Sequence, residues 1–234
     1  MAPFKLYGDY KSQPVRAVAL MLRTNNIDFD FVSCPLEPKA GRRIGTEEYA
    51  TNVNPFKRVP TLVVEGVAHI CESSAALQYL AELEGVSPHW YPRSGKERIL
   101  VNTYLAWHGP DVRKYASGYF VSTFYGPLFL DRHFTDTQVK EFRDGFEALL
   151  DKLEKIWLKE TPYLAGNDIT IADLQLITEL TQVESTGYDM VKGRPKLEAW
   201  MQLVKDILQP HYDAISEEPL TGFADQYKEY KASK

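Results

Sequence analysis

In the run GDYKSQPVRAV, residues 8–18, two hydroxyl side chains, Tyr10 and Ser12, fall between a strand-like segment and the start of a helix. Phe4-Lys5-Leu6-Tyr7 reads as a short strand that Gly8-Asp9 breaks. Pro14 suits a first helical position, where its missing N–H would be unpaired anyway. Val15, Val18, Ala19 and Leu22 then recur at i, i+3, i+4 and i+7, the apolar stripe of a core-facing helix. A helix N-terminus carries unpaired N–H groups and a positive partial charge, so it favours an anion. The Ser12 hydroxyl is therefore placed to hydrogen-bond a developing anion. Taken alone, a serine there also reads as a plain N-cap.

The elements that must position this hydroxyl alternate along the first 84 residues. Strand 4–7 and helix 14–25 are followed by IDFDFVS (27–33), where Ile27, Phe29 and Phe31 alternate as in a half-buried strand. A polar stretch with PKAGRR and TEEYATNV reads as a loop plus a short helix. TLVVE (61–65), Gly66 and VAHIC (67–71) form a strand–turn–strand hairpin, and ESSAALQYLAELEG (72–85) a helix stopped by Gly85. The order β-α-β-α-β-β-α is that of the thioredoxin-like fold, with the first two strands parallel and the last two antiparallel. Pro88 and Pro92 mark residues 85–95 as a linker, after which 96–234 reads as all-helical. The expected architecture is thus an α/β domain over 1–84 followed by a helical-bundle domain.

In the second half Pro110 predicts a kink in a long helix running from Lys96 toward Tyr125. Another helix is expected over 136–159, and one between Pro195 and Pro210. Thr170-x-x-Asp173 is a shortened capping box before an apolar run. Asp173 is accordingly expected to be structural, its removal costing about 0.5–2 kcal/mol of stability. The tail ADQYKEYKASK is polar and expected to fray.

The composition is that of an ordinary globular protein, with net charge −5 and no block of basic residues, so nucleic-acid binding is not expected. No apolar run approaches the roughly 18 residues of a membrane span, and the strand-like start gives no reason to expect a signal peptide. Two cysteines, Cys34 and Cys71, are too few and too far apart for a disulfide framework or a metal site, and read as buried or half-buried hydrophobes. The expected address is a reducing cytosol.

Seven motifs stand in one order along the chain: SQPVRAV, NPFKRVPTL, ESSAALQYL, HWYP, YLAWH, YLAGNDITIADL and GYDMVKGRPKLEAW. Together they resemble the glutathione transferases, and the theta class above all, over roughly residues 1–210. The resemblance implies glutathione as co-substrate, no metal, and a cis proline at Pro60 whose preceding backbone, at Val59, pairs with the cysteinyl part of the tripeptide. Glu72 and Ser73 would hold the γ-glutamyl end, the acid meeting its ammonium and the hydroxyl its carboxylate. Arg58 and Arg43 are the candidates for the glycine carboxylate, with Arg42 beside the latter. Arg43 stands where that class often has a histidine, in a loop longer than usual.

The resemblance assigns Ser12 the hydrogen bond to the glutathione sulfur, with Tyr10, near the phenol of the tyrosine-type classes, as runner-up. A thiol of pKa about 8.5 is only about 3% thiolate at pH 7, and lowering that by about two pH units raises it to about 75%, for roughly 2.7 kcal/mol. One charge-assisted hydrogen bond of about 1.5–3 kcal/mol and a helix-dipole contribution of about 0.3–1 kcal/mol suffice. Neither cysteine occupies the Ser12 position, which argues against cysteine-dependent thiol transfer.

For the electrophile, the helix carrying AWHGPDVRKYASGYF offers Trp107, His108, Arg113 and Tyr119-Phe120, with Tyr10 on the opposite wall. The expected reaction is conjugation of the glutathione thiolate to hydrophobic electrophiles; the alternative is a non-catalytic module of the same fold used for binding or assembly. A homodimer is expected from the family, from Phe56 on a loop, and from a helix after Glu72 that is apolar on more than one face.

Overall fold

The computed structural model describes residues 3–36 and 43–233, so Arg42 lies outside the described residues. Strands β1 (Phe4–Gly8), β2 (Phe29–Ser33), β3 (Thr61–Val64) and β4 (Ala68–Ile70) form one sheet in the order β2-β1-β3-β4. β1 and β2 pair in parallel because helix α1 (Gln13–Thr24) crosses between them; β3 is antiparallel to both β1 and β4. Helices α2 (Glu47–Asn52) and α3 (Ser73–Ala81) complete the βαβαββα order of a thioredoxin-like domain. Several elements are shorter than predicted. β2 starts at Phe29, β4 covers only three residues, and α3 stops at Ala81, with Gly85 (φ 85°) in the turn beyond.

α1 is buried on more than its predicted stripe. Every residue from Val15 to Leu22 is inaccessible, because α3 packs on the helix from its own domain and two helices of the second half cover the rest. A Cβ on Gly8 would stand 2.5 Å from Val15, so the end of β1 and the start of α1 are in direct contact. That contact fixes the loop carrying Ser12.

From Gly95 onward the chain is helical. α4 (Gly95–Trp107) continues through wide π-type turns at His108–Ser117 and Val121–Tyr125, with α5 (Gly118–Phe120) and α6 (Gly126–Phe129) as the α-helical pieces. The widening begins two residues before Pro110, where a missing N–H disturbs the helical ladder. α7 (Asp136–Lys152) opens on a Thr135–Gln138 capping box and ends in a further wide turn, Leu153–Trp157. α8 (Ile171–Glu184), α9 (Pro195–Ile207) and α10 (His211–Ala232) follow. α10 overturns the expected fraying of the tail: it is helical to Ala232, with Phe223 buried and Tyr227 and Tyr230 packed on the core. No helix among the described residues is long and apolar enough to cross a membrane.

α8 is the axis of this half, buried from Ile171 to Val183. Its first turn carries the predicted capping box: Thr170 Oγ1 accepts from Ala172 N at 3.3 Å, and Asp173 Oδ2 accepts from Thr170 N and Oγ1, each at 2.9 Å. Asp173 does more than cap. Its Oδ1 also accepts from Leu164 N at 3.1 Å and from the Trp200 indole at 2.9 Å, tying the preceding turn and α9 to the helix start. Burial pushes its carboxyl up, against four hydrogen bonds that favour the ionised form. Asp173→Ala therefore leaves several buried donors without an acceptor, and its expected cost rises to at least about 3 kcal/mol. Urea unfolding of the variant measures it; a loss within the range of a simple cap would show that the Leu164 and Trp200 bonds contribute little.

Candidate functional site

Ser12 is the N-cap of α1 by backbone geometry (φ −91°, ψ 122°), yet its side chain makes no capping hydrogen bond. The loop is held by other groups. Asp9 Oδ1 accepts from Lys11 N and its Oδ2 from Leu36 N, both at 2.9 Å, and Asp9 O accepts from Ser12 N. The carbonyls on either side of Lys11's peptide links are also taken: Arg16 Nη1 donates to Tyr10 O at 2.8 Å, and Gln182 Nε2 to Lys11 O at 3.3 Å. Among the described residues nothing pairs with Ser12 Oγ, which stands at a positive helix end.

The hydroxyl opens on a cleft of about 320 Å³ lined by Ser12, Arg58, Val59, Arg113, Phe120 and Tyr125, among others. A second cleft of about 340 Å³ adjoins it, sharing Arg58, Val59 and Arg113, and runs past Pro60 to Glu72, Ser73 and His108. Together they make one groove from the start of α1 to the start of α3, walled on the far side by the α4 continuation. The Val59–Pro60 peptide is cis, as the resemblance implies. Arg58 O, just before it, accepts from Tyr49 Oη at 2.9 Å and from buried Asn54 Nδ2 at 3.1 Å, so this wall is set by α2 and the Asn54 turn.

The charges beneath the groove are unevenly matched. Arg16 is wholly buried; its Nη2 donates to Thr178 O at 3.0 Å and Gln182 Oε1 at 2.8 Å, and its Nε has no partner. Burial lowers its pKa to about 10, which leaves it charged at neutral pH. Glu179, 2% exposed, accepts from Arg113 through Oε1 and keeps Oε2 unpartnered. His108 Nε2 lies 3.8 Å from the same Oε1, while its Nδ1 pairs with Tyr104 Oη at 3.1 Å. Burial holds the imidazole below its usual pKa despite Glu179. A neutral His108 leaves one carboxylate facing two guanidinium groups.

The groove brings Ser12, Arg58, Val59, Pro60, Glu72, Ser73, His108, Arg113 and Phe120 together. It does not include Tyr10 or Arg43. Tyr10 stacks on Phe31 at 4.4 Å and lines a separate cavity with Glu218 and Gly222; burial raises its phenol pKa. Exposed Arg43 lies over the Tyr7 ring, 5.7 Å from its centroid. Trp107 packs on Trp157 and Tyr119 on Phe146, both away from the groove. Cys34 is buried, and Cys71 lines the second cleft with its thiol pKa raised by burial. Sequence reasoning missed Arg16, Glu179 and Gln182. The available signal was a charged or amide side chain within an otherwise apolar helical run, in SQPVRAV and in ITELTQV.

Residues 6–88 match the family model for the glutathione S-transferase N-terminal domain, and 119–205 that for the C-terminal domain. The chain is 33% identical to glutathione S-transferase theta-2 of Rattus norvegicus over 204 residues, 87% of this chain and 81% of the relative. The structure of human glutathione transferase theta-2 in complex with glutathione and an unknown ligand superposes with a TM-score of 0.88 at 30% identity, covering 97% and 91% of the two chains. A human theta-class enzyme bound to the glutathione conjugate of 1-menaphthyl sulfate gives 0.86 at 29%, covering 100% and 91%. The chain belongs to the glutathione S-transferase family. Within that family it is theta-like, as its SQP-containing loop and its relatives agree.

The Arg16 network generates a direct test. Arg16→Met removes the donors to Tyr10 O and Gln182 Oε1 and should lower stability by about 2–4 kcal/mol, with Arg16→Lys intermediate. Denaturant midpoints for the three proteins decide; a methionine variant as stable as wild type would show that the guanidinium carries no net load.

Proposed function

We propose that the protein conjugates glutathione to hydrophobic electrophiles, with Ser12 as the catalytic residue that holds the glutathione sulfur as thiolate. The observation that carries this is a serine hydroxyl released from capping at a helix N-terminus and facing a groove. The groove's other end carries an acid and two hydroxyls at the start of α3. Structures of relatives bound to glutathione and to a glutathione conjugate support the same reading.

Glutathione would lie with its γ-glutamyl group at Glu72 and Ser73, its cysteinyl backbone along Val59 and Pro60, and its glycine carboxylate near Arg58, with Arg43 the more distant candidate. The Ser12 hydroxyl donates to the sulfur and strengthens as charge develops there, so it favours thiolate over thiol. The thiol proton leaves to solvent. The thiolate then attacks an electrophilic carbon: with an alkyl or aryl halide the C–S bond forms as the carbon–halogen bond breaks and halide departs. With an activated alkene the carbanion formed takes a proton. Peroxides are further candidate acceptors. Arg113, His108 and Phe120 wall the electrophile's side of the groove. Tyr10 faces another cavity, which favours Ser12 over the phenol.

In this reading residues 1–84 bind glutathione, 85–95 link, and 96–234 supply the electrophile site, in a cytoplasmic detoxifying enzyme that uses no metal. The enzyme is a homodimer. Phe56, 66% exposed at the tip of the Asn54 turn, is a candidate contact. α3 supports the dimer less than its sequence suggests, since α1 and α8 of the same chain cover Ala76, Leu77 and Leu80.

Two measurements test the reading. Ultraviolet titration of bound thiolate should show its pKa raised by Ser12→Ala, with turnover falling far more than glutathione affinity; the same loss in Tyr10→Phe and not in Ser12→Ala would move the role to the phenol. Light scattering at micromolar concentration should give twice the 26.7 kDa chain mass, and Phe56→Ser should weaken the association. A wild-type mass of one chain refutes the dimer.

A further inference from the structure

We infer that Gln175 is a positioning residue that orients the Ser73 and Ser74 hydroxyls with their protons toward the cleft, and so favours the α-carboxylate of the γ-glutamyl group; this rests on the glutathione reading above. Gln175 belongs to α8, in the helical half, and is 2% exposed. Its Nε2 crosses to the first turn of α3, donating to Ser74 Oγ at 2.8 Å and Ser73 Oγ at 3.3 Å. Its Oε1 is buried with no partner. With the amide reversed, two buried hydrogens would lack acceptors in place of one orphan oxygen, so the NH₂ end belongs toward the serines.

A hydroxyl has one proton and two lone pairs. A serine that accepts from Gln175 keeps its proton for another acceptor, and among the described residues neither hydroxyl donates to a protein group. Both serines line the cleft and Gln175 stands behind them, so the spare protons serve that cleft. The start of α3 supplies further donors in its unpaired N–H groups, and Glu72, its N-cap, makes no side-chain capping bond. The result is a patch of donors beside one exposed carboxylate. A carboxylate, which only accepts, satisfies that patch. A carboxamide offers it one acceptor oxygen in place of two and adds two hydrogens that need acceptors of their own. Gln175 touches neither ligand nor sulfur; it acts through the serines, from the other half of the chain.

The test uses the full-length enzyme with glutathione and with its analogue carrying a carboxamide in place of the γ-glutamyl α-carboxylate. Kd comes from tryptophan fluorescence and kcat and KM from conjugation rates. Gln175→Leu should raise KM and Kd for glutathione about tenfold and narrow the preference over the carboxamide by a similar factor. At saturating glutathione kcat should stay within about twofold, the pattern of lost uniform binding. Because Gln175 acts through Ser73 and Ser74, adding Gln175→Leu to the double variant Ser73→Ala/Ser74→Ala should cost far less than it does alone. If Gln175→Leu does not fold, Gln175→Met, unbranched and of similar length, carries the same test. A variant with a lower melting temperature but unchanged carboxylate preference overturns the inference, as do fully additive effects. Wild-type protein that fails to bind glutathione overturns the transferase reading itself.

Discussion

A guanidinium that never reaches water must find its acceptors inside the protein, and Arg16 finds them in two places at once. One is the carbonyl of Tyr10, in the loop that presents Ser12; the others are Thr178 O and Gln182 Oε1 on α8. Desolvating the charge costs several kcal/mol, so these contacts cannot be given up singly without penalty. The α/β and helical halves are therefore joined at the loop that carries Ser12. Gln182 repeats the connection through Lys11 O, and Gly8 keeps the start of α1 against the sheet. With the loop held by Asp9, Arg16 and Gln182, the Ser12 side chain is not needed to cap its own helix. A hydroxyl is free because other groups hold its backbone.

The same arrangement shapes the field in the groove. The chain carries a net charge of −5, yet two guanidinium groups and a helix N-terminus converge beneath the groove around the buried carboxylate of Glu179, with exposed Glu72 at the groove's far end. Burial keeps His108 from adding a charge or a strong demand on Glu179. A low-dielectric site with excess positive character stabilises an anion more than the same groups would in water. Whole-chain composition carries no trace of this, because the groups responsible come from α1, α8 and the α4 continuation.

Residues 4–81 were readable from the sequence because their periodicities differ sharply: period-2 strands alternate with helical stripes, and Pro and Gly punctuate them. The groove wall at Val59-Pro60 and the hydroxyls at Ser73 were readable only through the motif order, since a proline before a strand and a serine before a helix are common features. Arg16 was not readable. It lies off the predicted stripe of α1, where a charged residue ordinarily faces solvent, and no local pattern announces that α8 covers that side. The tail misled for a related reason. Phe223, Tyr227 and Tyr230 are spaced four and three apart, a helical stripe hidden among charges. The α4 continuation was hardest, because its wide turns break the α-helical register. That places Phe120 and Arg113 toward the groove but Trp107 and Tyr119 toward the core. Tyr10 and Ser12 show the finest limit: two residues apart in one tight turn, they open on different cavities.

The Phe120 side of the groove is built differently from the Ser12 side. Phe120, which lines the groove, meets the Phe223 ring of α10 at 5.3 Å, and Phe124 behind it meets Phe223 at 6.2 Å and Tyr227 at 5.2 Å. These edge-on aromatic contacts are apolar and tolerate volume-conserving exchange better than a buried charge network does. Substitutions in this cluster can reshape the space offered to an electrophile without disturbing Arg16, Asp9 or the Ser12 loop. The Ser12 loop thus depends on polar contacts with few alternatives, whereas the Phe120 side of the groove depends on packing with many. Under the proposed function, the α10 aromatic cluster is where such a fold can change its electrophile while keeping its thiolate.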